Sequence, residues 1–197
     1  MVAILKYNAG NIQSVLYALH RLGVDAIVTN DHKEILSADK VIFPGVGHAA
    51  SAMESLKQNG LDNIIKMLKQ PVLGICVGMQ LLCSSSEEGN IEGLGIVDLK
   101  VKRFVSDGMS GFKIPHMGWN SITKLSSPLL NGVRPGSYVY YVHSYYAETG
   151  ADTIAETNYI HPFSAVVQHN NFYGVQFHTE KSASTGEQIL KNFLQLI

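Results

Sequence analysis

Cys76 is the residue of this chain best placed for covalent chemistry. An apolar run, Pro71–Ile75, precedes it, and glycines stand two positions before and after it, at Gly74 and Gly78. A cysteine at a sharp strand-to-helix turn projects its sulfur out of the sheet, and the helix N-terminus favours the thiolate. The spacing therefore predicts a nucleophile at Cys76. A free cysteine is otherwise more often a buried structural group, and that interpretation holds for Cys83, which lacks these features.

A base for this nucleophile is predicted at His178, which follows an apolar run typical of a strand. Glu180 stands two residues further on, and residues two apart on an extended chain project to the same side. A carboxylate beside an imidazole fixes its tautomer and stabilises the imidazolium, so we expect a Cys76–His178–Glu180 triad. His-x-Glu alone is a weak signal. His116 and His143 are the alternative bases, since each lies in a stretch rich in Gly, Pro or aromatic residues.

Two turns are expected to stabilise an oxyanion through backbone N–H groups. The N–H of Val77 directly follows the nucleophile and is the first donor. The second is expected from Gly45-Val46-Gly47, after the strand Lys40–Phe43, because glycines let a peptide reorient at low steric cost. A simple tight turn is the alternative interpretation of that segment.

The first half of the chain alternates between strand and helix patterns. Helical spacing of apolar residues is found near positions 12–22, 31–36, 52–68 and 78–83, with a break expected at Gly60. The strands predicted between these helices are Val2–Lys6, Val24–Val28, Lys40–Phe43 and Pro71–Ile75. This β-α-β-α order is typical of a parallel sheet with helices on both faces.

From about Glu92 the pattern changes to strands separated by polar or Gly/Pro turns. The predicted strands are Ile96–Val105, Ser121–Lys124, Ser137–Tyr146, Thr153–Thr157, Ala165–His169 and Phe172–Phe177. A C-terminal helix is predicted at Glu187–Ile197. We therefore expect one three-layer α/β domain over residues 1–197, with a largely parallel central sheet and a mixed or antiparallel strand extension.

Composition excludes several classes of protein. The 197 residues are 46% hydrophobic and 16% charged, which excludes wholesale disorder. Fifteen Lys and Arg balance sixteen Asp and Glu without a basic cluster, so no nucleic-acid partner is expected. No apolar run is long enough to span a membrane. The polar start and two cysteines predict a cytoplasmic protein, and the eight histidines show no metal-ligand spacing, so no metal is expected.

Two segments resemble the class I glutamine amidotransferases: Gly74–Gly78 followed by Met79-Gln80, and Gln176–Ser182 with its His-x-Glu. Other segments resemble a group within that class, the glutaminase subunits of histidine biosynthesis: Tyr7–Asn11, Phe43–Gly47, Ser86–Gly89, Pro115–Asn120 and Val142–Tyr146. The resemblance covers the whole chain. The family usually has Pro where Thr179 stands and Leu where Val77 stands. Neither change removes a reacting group, but Thr179 releases the restriction that Pro imposes on the preceding residue.

The resemblance implies hydrolysis of glutamine to glutamate and ammonia through a thioester on Cys76, with no cofactor. It also implies a partner, a (βα)8-barrel cyclase subunit that receives the ammonia through an interior tunnel. The substrate-binding residues that it implies are Gln80, Glu88, Ser144 and Tyr145, with Glu88 pairing the substrate ammonium. Without the family, Glu88 would be interpreted as part of a solvated acidic loop.

The surface expected to contact the cyclase lies around Pro115–Asn120, because Trp and Met are enriched at interface centres. An ordinary core position is the alternative for Trp119. The interface residues expected are Asn11, Pro115, Met117, Trp119, Tyr138 and Lys181. One oxyanion donor is worth about 3 kcal/mol. A partner that completes the Gly45–Gly47 turn would therefore change turnover by two or more orders of magnitude.

Two alternatives remain open from the sequence. The first is another enzyme on the same scaffold, either a glutaminase serving a different synthase or an unrelated cysteine hydrolase. The second is a non-catalytic interaction subunit that retains the fold. The Pro115–Asn120 segment argues against the first alternative, and an intact Cys76–His178–Glu180 set argues against the second.

Overall fold

A seven-stranded sheet forms the centre of the protein in the computed structural model, which describes residues 1–8, 11–106 and 111–197. In spatial order its strands are β11 (Thr153–Asn158), β12 (Pro162–His169), β13 (Phe172–Val175), β4 (Val72–Ile75), β3 (Lys40–Phe43), β1 (Val2–Leu5) and β2 (Ala26–Thr29). The five strands from β13 to β2 are parallel, and β12 and β11 extend the sheet in antiparallel fashion. The predicted parallel sheet with a mixed extension is confirmed.

Six α-helices accompany this sheet: α1 (Ile12–Arg21), α2 (His32–Ser37), α3 (Ala49–Gln58), α4 (Leu61–Met67), α5 (Val77–Leu82) and α6 (Ala183–Gln195). The strand order reverses direction at β1, and right-handed crossovers then place α1 on one face and α2 to α4 on the other. The contacts agree, because α1 and α6 both contact the turn Thr179–Lys181, while α2, α3, α4 and α5 contact one another in series. Helices therefore cover both faces, as the alternating pattern predicts.

Two smaller sheets complete the fold. One has the order β10 (Tyr145–Ala147), β7 (Val97–Arg103), β5 (Cys83–Ser86) and β6 (Ile91–Glu92). The other is the antiparallel pair β8 (His116–Ser121) and β9 (Tyr138–His143). Within the described residues no helix is long and apolar enough to cross a membrane.

Several predicted boundaries are wrong. The strand expected at Ser121–Lys124 is instead β8, which ends at Ser121, so most of the Pro115–Asn120 segment is a strand. Ser137–Tyr146 is divided at Ser144 into β9 and β10. The serine-rich β5 and the short β6 carry no strand pattern and were not predicted. The conformation of these strands depends on pairing with other segments, β5 with β6 and β7 and β8 with β9, which the pattern within each strand does not report. Residues 9 and 10 of the Tyr7–Asn11 motif lie outside the described residues.

Glycine allows the close approach of β3 and α5 that shapes the sheet edge. A Cβ added to Gly78 would lie 1.9 Å from the carbonyl oxygen of Phe43, the last residue of β3. A Cβ added to Gly45 would lie 2.6 Å from the backbone nitrogen of Gly78. Because neither position has room for a side chain, the end of β3 and the start of α5 lie in direct backbone contact.

Gly60 ends one helix and starts another, at the break that the sequence predicts. Its backbone φ is +65°, a left-handed conformation that glycine adopts without strain. The predicted helix at 52–68 is therefore two helices, α3 and α4. The C-terminal helix α6 begins at Ala183, four residues before the predicted start at Glu187.

Candidate active site

Four adjacent parallel strands bring their carboxyl ends together at one edge of the sheet. β4 leads into Cys76, β3 leads into Gly45, β13 leads into His178, and β1 leads into Tyr7. In open α/β sheets this edge is where ligands bind. Residues far apart in the sequence therefore meet at a single place.

Cys76 occupies a sharp corner between β4 and α5, as its flanking glycines predict. Its backbone torsions are φ 54° and ψ −112°, a conformation rarely adopted by residues other than glycine. Its N–H donates to the carbonyl of Val175 at 2.8 Å, and its carbonyl accepts from the N–H of Gln80 at 3.1 Å. Strain of this kind persists only where the surroundings impose it, and it is concentrated at functional sites.

His178 and Glu180 form a buried pair beside Cys76. The imidazole Nδ1 lies 2.8 Å from a carboxylate oxygen of Glu180, and the two side chains are 2% and 0% exposed. The backbone of His178 is held by Tyr140, whose carbonyl accepts its N–H at 3.0 Å. The hydroxyl of Ser182 donates to the carbonyl of His178 at 2.6 Å. His178 is thus fixed without the proline that the family usually has at the next position.

The charged state of His178 is favoured by its neighbours. Burial lowers the pKa of the imidazole, but the Cys76 sulfur and the Glu180 carboxylate together raise it to about 10. Its Nε2 is buried and has no hydrogen-bond partner within the described residues. With Nδ1 directed to Glu180, Nε2 is the nitrogen left to exchange a proton with the sulfur or with a substrate.

Asn11 contacts this pair, which the sequence analysis did not predict. Its side-chain amide donates to the Glu180 carboxylate that binds His178, and it lies 3.5 Å from Nδ1 of the imidazole. Asn11 was expected only at the partner interface. It is half-buried in the structure, at the start of α1. Its position within the Tyr7–Asn11 motif was the only signal available in the sequence.

The glycine turn predicted to supply an oxyanion donor follows β3, and it engages the other predicted donor, the N–H of Val77. The N–H of Val77 donates to the carbonyl of Gly45 at 3.3 Å. Tyr7, which the sequence analysis did not single out, donates its buried hydroxyl to the carbonyl of Pro44, directly before the turn. Burial and the nearby Cys76 sulfur raise the pKa of Tyr7, so its hydroxyl stays protonated and remains a donor.

A cavity of ≈ 340 Å³ opens onto Cys76 and His178. Its volume lies within the range of small-molecule sites. All four predicted substrate-binding residues line it, together with part of the oxyanion turn: Gln80, Glu88, Ser144, Tyr145, Val46 and Gly47. A carboxylate oxygen of Glu88 accepts from the N–H of Ala49 at 2.8 Å, which orients this side chain at the cavity wall. The described residues contain no group of three or more His, Cys, Asp or Glu that could hold a metal ion.

The residues predicted to meet a partner lie mostly on one exposed face beside this site. Met117, Trp119 and Tyr138 on the hairpin β8–β9 are 63%, 52% and 61% exposed. The interpretation of Trp119 as a core residue is therefore wrong. Pro115 and Lys181 are exposed as well. His116 and His143, the alternative bases, are buried and pair with each other at 2.9 Å, and His143 also borders the cavity.

Comparison with known proteins agrees with this geometry. The sequence matches the family described as glutamine amidotransferase class-I over residues 3–196. The imidazole glycerol phosphate synthase subunit HisH of Bacteroides fragilis is 57% identical over 195 residues, covering 99% of each protein. The subunit of the same name from Yersinia pseudotuberculosis is 48% identical over 197 residues, again covering 99% of each.

Solved structures resemble the fold at much lower sequence identity. A putative GMP synthase protein from Thermoplasma acidophilum has a TM-score of 0.74 at 20% identity, covering 98% of this chain and 92% of that one. PurLQS from Thermotoga maritima has a TM-score of 0.71 at 15% identity, covering 99% and 97%. These two structures show the fold alone. The family match and the full-length relatives show more: the chain belongs to the class I glutamine amidotransferases, and within them to the HisH subunits of imidazole glycerol phosphate synthase.

Proposed function

We propose that this chain is the glutaminase subunit of imidazole glycerol phosphate synthase, with Cys76, His178 and Glu180 as its catalytic triad. The observation that carries the proposal is the strained Cys76 corner, open to a cavity and placed beside a buried imidazole–carboxylate pair. The full-length HisH relatives support the choice of synthase.

The proposed reaction begins with attack of the Cys76 thiolate on the carboxamide carbon of glutamine. The C–N bond then breaks, and His178 donates its proton to the leaving ammonia, which leaves a thioester. His178, now neutral, takes a proton from water as the water attacks the thioester carbonyl. Glutamate leaves and the thiolate is restored. Glu180 holds the imidazole by its Nδ1 and stabilises its charged form in both steps.

The tetrahedral intermediates require backbone N–H donors for their oxyanion, and in the structure the first of these donors is already hydrogen-bonded. The N–H of Val77 donates to Gly45 and is free for an oxyanion only if that carbonyl rotates away. Rotation of the peptide that joins Gly45 and Val46 frees Val77 and also turns the N–H of Val46 around. We propose that docking of the partner favours this rotation. Because one oxyanion donor is worth about 3 kcal/mol, the rotation would raise the turnover of glutamine by two or more orders of magnitude.

Glutamine is proposed to bind in the cavity with its ammonium group paired to Glu88. Gln80, Ser144 and Tyr145 supply the remaining polar contacts. The ammonia passes through an interior tunnel to a (βα)8-barrel cyclase subunit, which docks on the exposed face of β8–β9. The complex then forms imidazole glycerol phosphate for histidine synthesis and an aminoimidazole carboxamide ribotide.

The test is release of ammonia from glutamine by the chain with and without the cyclase subunit. Cys76→Ser is expected to abolish release and labelling by a thiol-alkylating glutamine analogue. Cys83→Ala is the matched control, because burial raises the pKa of the Cys83 thiol to about 12 and keeps it unreactive. Retention of activity in Cys76→Ser would refute the proposed nucleophile. Equal turnover with and without the cyclase would refute the proposed coupling.

A further inference from the structure

A buried hydrogen-bond chain runs from the partner-facing hairpin to the proposed nucleophile, and the mechanism above gives no role to its two histidines or to Gln176. It begins at Asn120 on β8 and continues through His116 and His143, which are opposite each other in the β8–β9 pair. From the carbonyl of Tyr145 it continues through the side-chain amides of Gln80 and Gln176 to the sulfur of Cys76. The four side chains His116, His143, Gln80 and Gln176 are 3%, 6%, 3% and 0% exposed.

The position of each proton in the histidine part of this chain is determined at both ends. At one end the side-chain oxygen of Asn120 accepts from the N–H of Ser121 at 2.8 Å, so its amide nitrogen must face His116 as a donor, at 3.3 Å. Nε2 of His116 is therefore an acceptor and its Nδ1 carries the proton. Nδ1 of His116 donates to Nε2 of His143 at 2.9 Å.

At the other end the acceptor is a backbone carbonyl. Nδ1 of His143 lies 2.7 Å from the carbonyl oxygen of Tyr145, which can only accept, so this nitrogen carries the proton. Both ends thus require the same arrangement, in which each imidazole is neutral and protonated on Nδ1. Burial favours it further, because it lowers the pKa of His116 to about 4 and that of His143 to about 3.

The carbonyl of Tyr145 is the point where the histidines meet the site. It accepts from His143 at 2.7 Å and from the amide nitrogen of Gln80 at 2.9 Å. The same nitrogen of Gln80 donates to Gln176 at 2.9 Å, and the amide of Gln176 lies 3.9 Å from the Cys76 sulfur. Tyr145 and Gln80 both line the cavity. Movement of this carbonyl would therefore displace the cavity wall and the amides beside the sulfur.

We propose that His143, supported by His116, is a positioning residue for the glutamine pocket: its Nδ1 hydrogen bond holds the Tyr145 carbonyl, and with it Gln80 and Gln176, in place. This role rests on the proposed glutaminase function. It differs from that of the base, because His143 borders the cavity with both ring nitrogens already engaged by His116 and the Tyr145 carbonyl, and neither imidazole changes its protonation during the reaction.

Two substitutions at His143 separate positioning from stability. An asparagine amide occupies nearly the place of Nδ1 and keeps the hydrogen bond to Tyr145, whereas a glutamine amide reaches the place of Nε2 and keeps the contact with His116. Each variant loses one buried hydrogen bond of the imidazole, so both are expected to lose similar stability. Only His143→Gln removes the hydrogen bond from residue 143 to the Tyr145 carbonyl, which then accepts from Gln80 alone.

The experiment compares glutamine KM and kcat of His143→Asn and His143→Gln, each in complex with the cyclase subunit, and records thermal unfolding. We expect His143→Gln to raise KM about threefold to tenfold with a smaller change in kcat, as fits the loss of one hydrogen bond. His143→Asn is expected to raise KM by about twofold. His161→Asn is the control, because His161 contacts Phe104 in the same aromatic cluster but is not a member of the hydrogen-bond chain from Asn120 to Cys76.

Nitrogen-15 NMR of the imidazoles in the wild-type chain tests the tautomers without reference to activity. Both His116 and His143 are expected to carry the proton on Nδ1 at neutral pH. Protonation on Nε2, or equal KM values for the two His143 variants, would overturn the positioning role while wild-type turnover remains normal. A wild-type complex that releases no ammonia would instead reject the proposed function, and this role with it. If His143→Gln does not fold, His116→Asn and His116→Gln provide the same contrast at the preceding histidine of the hydrogen-bond chain.

Discussion

At the scale of the residue, the candidate site depends on how the groups around His178 shift the pKa of its imidazole. The buried Glu180 and the Cys76 sulfur favour the charged form of His178, although burial alone disfavours it. The other buried histidines, His116 and His143, have no carboxylate partner among the residues that the structure describes, and burial lowers their pKa and keeps them neutral. The same residue type therefore serves two purposes in one protein, according to the charges beside it.

The effect of Glu180 on His178 predicts a change in pH dependence. Because the pKa of His178 is raised to about 10, the alkaline limb of glutaminase kcat/KM should lie well above the ordinary range of histidine. Glu180→Gln removes a negative charge that favours the imidazolium, so the pKa falls and the limb moves down by about one pH unit or more. The measurement is the pH profile of kcat/KM for the complex.

Glu187→Gln provides the comparison for that profile, since Glu187 is an exposed acid on α6. The alkaline limb of the Glu187→Gln pH profile should coincide with that of the wild type. A Glu180→Gln profile that also coincides with the wild type would show that the carboxylate does not stabilise the charged imidazole.

At the scale of the element, the site depends on the backbone contact between the end of β3 and the start of α5. The turn Gly45–Gly47 and the proposed nucleophile Cys76 are brought together by this contact, and the hydrogen bond from Val77 to Gly45 crosses it. The contact exists because Gly78 lies against the carbonyl of Phe43. A side chain at Gly45 or at Gly78 would separate the two predicted halves of the oxyanion site.

Gly78→Ala is therefore predicted to destabilise the protein strongly. The added methyl would lie 1.9 Å from the Phe43 carbonyl oxygen, and a backbone atom within a central strand cannot move aside easily. We expect the free energy of unfolding, measured by urea denaturation, to fall by about 3 kcal/mol or more.

Gly174→Ala is the matched control, because its methyl would meet the flexible side chain of Met79, with Cγ at 2.6 Å. A rotamer change of Met79 moves its Cγ, whereas Met79 Cβ and Val167 Cγ2, each at 3.0 Å, must shift by a few tenths of an ångström. Because the three nearest atoms all belong to side chains rather than to backbone, the loss of stability should be smaller. The interpretation fails if Gly174→Ala proves as destabilising as Gly78→Ala.

At the scale of the whole molecule, the hairpin β8–β9 connects an exposed apolar face to the interior of the site. Outward residues Met117 and Trp119 alternate with His116, which is buried. On the neighbouring strand the carbonyl of Tyr140 holds the backbone of His178. A partner that docks on this face would thus contact a strand, β9, that is hydrogen-bonded to the backbone of His178.

Trp119→Ala is predicted to weaken binding of the cyclase subunit without unfolding the chain. Tryptophans at the centre of an interface often contribute about 2 kcal/mol or more, which corresponds to about a thirtyfold increase in Kd. Titration calorimetry with the purified cyclase measures this Kd, and thermal unfolding of the variant alone should change little, since Trp119 is 52% exposed.

Met67→Ala tests whether any exposed apolar residue would have the same effect. Met67 is 60% exposed at the end of α4, at the opposite edge of the sheet from the site. Its Kd should match that of the wild type. Equal Kd values for Trp119→Ala and the wild type would place the interface elsewhere.

Much of the architecture follows from local patterns in the sequence. The strands β1 and β4 are continuous apolar runs of four residues, β3 has three apolar residues after Lys40, and the helices between them show regular apolar spacing. These patterns report burial directly, so the parallel sheet and its two helical layers could be predicted. The polar β5 and the mixed β8 could not, because their strand conformation depends on partners far along the chain.

For the site, the sequence by itself determined which groups could react: a cysteine between spaced glycines, an imidazole and a carboxylate two residues apart, and a glycine turn after a strand. Only the tertiary structure decided the rest. It brought Asn11 to Glu180, Tyr7 to Pro44 and His116 to His143, and it left the donor of Val77 engaged by Gly45. The physical reason is that these hydrogen bonds join separate strand ends, whose distances depend on sheet order and register rather than on local spacing.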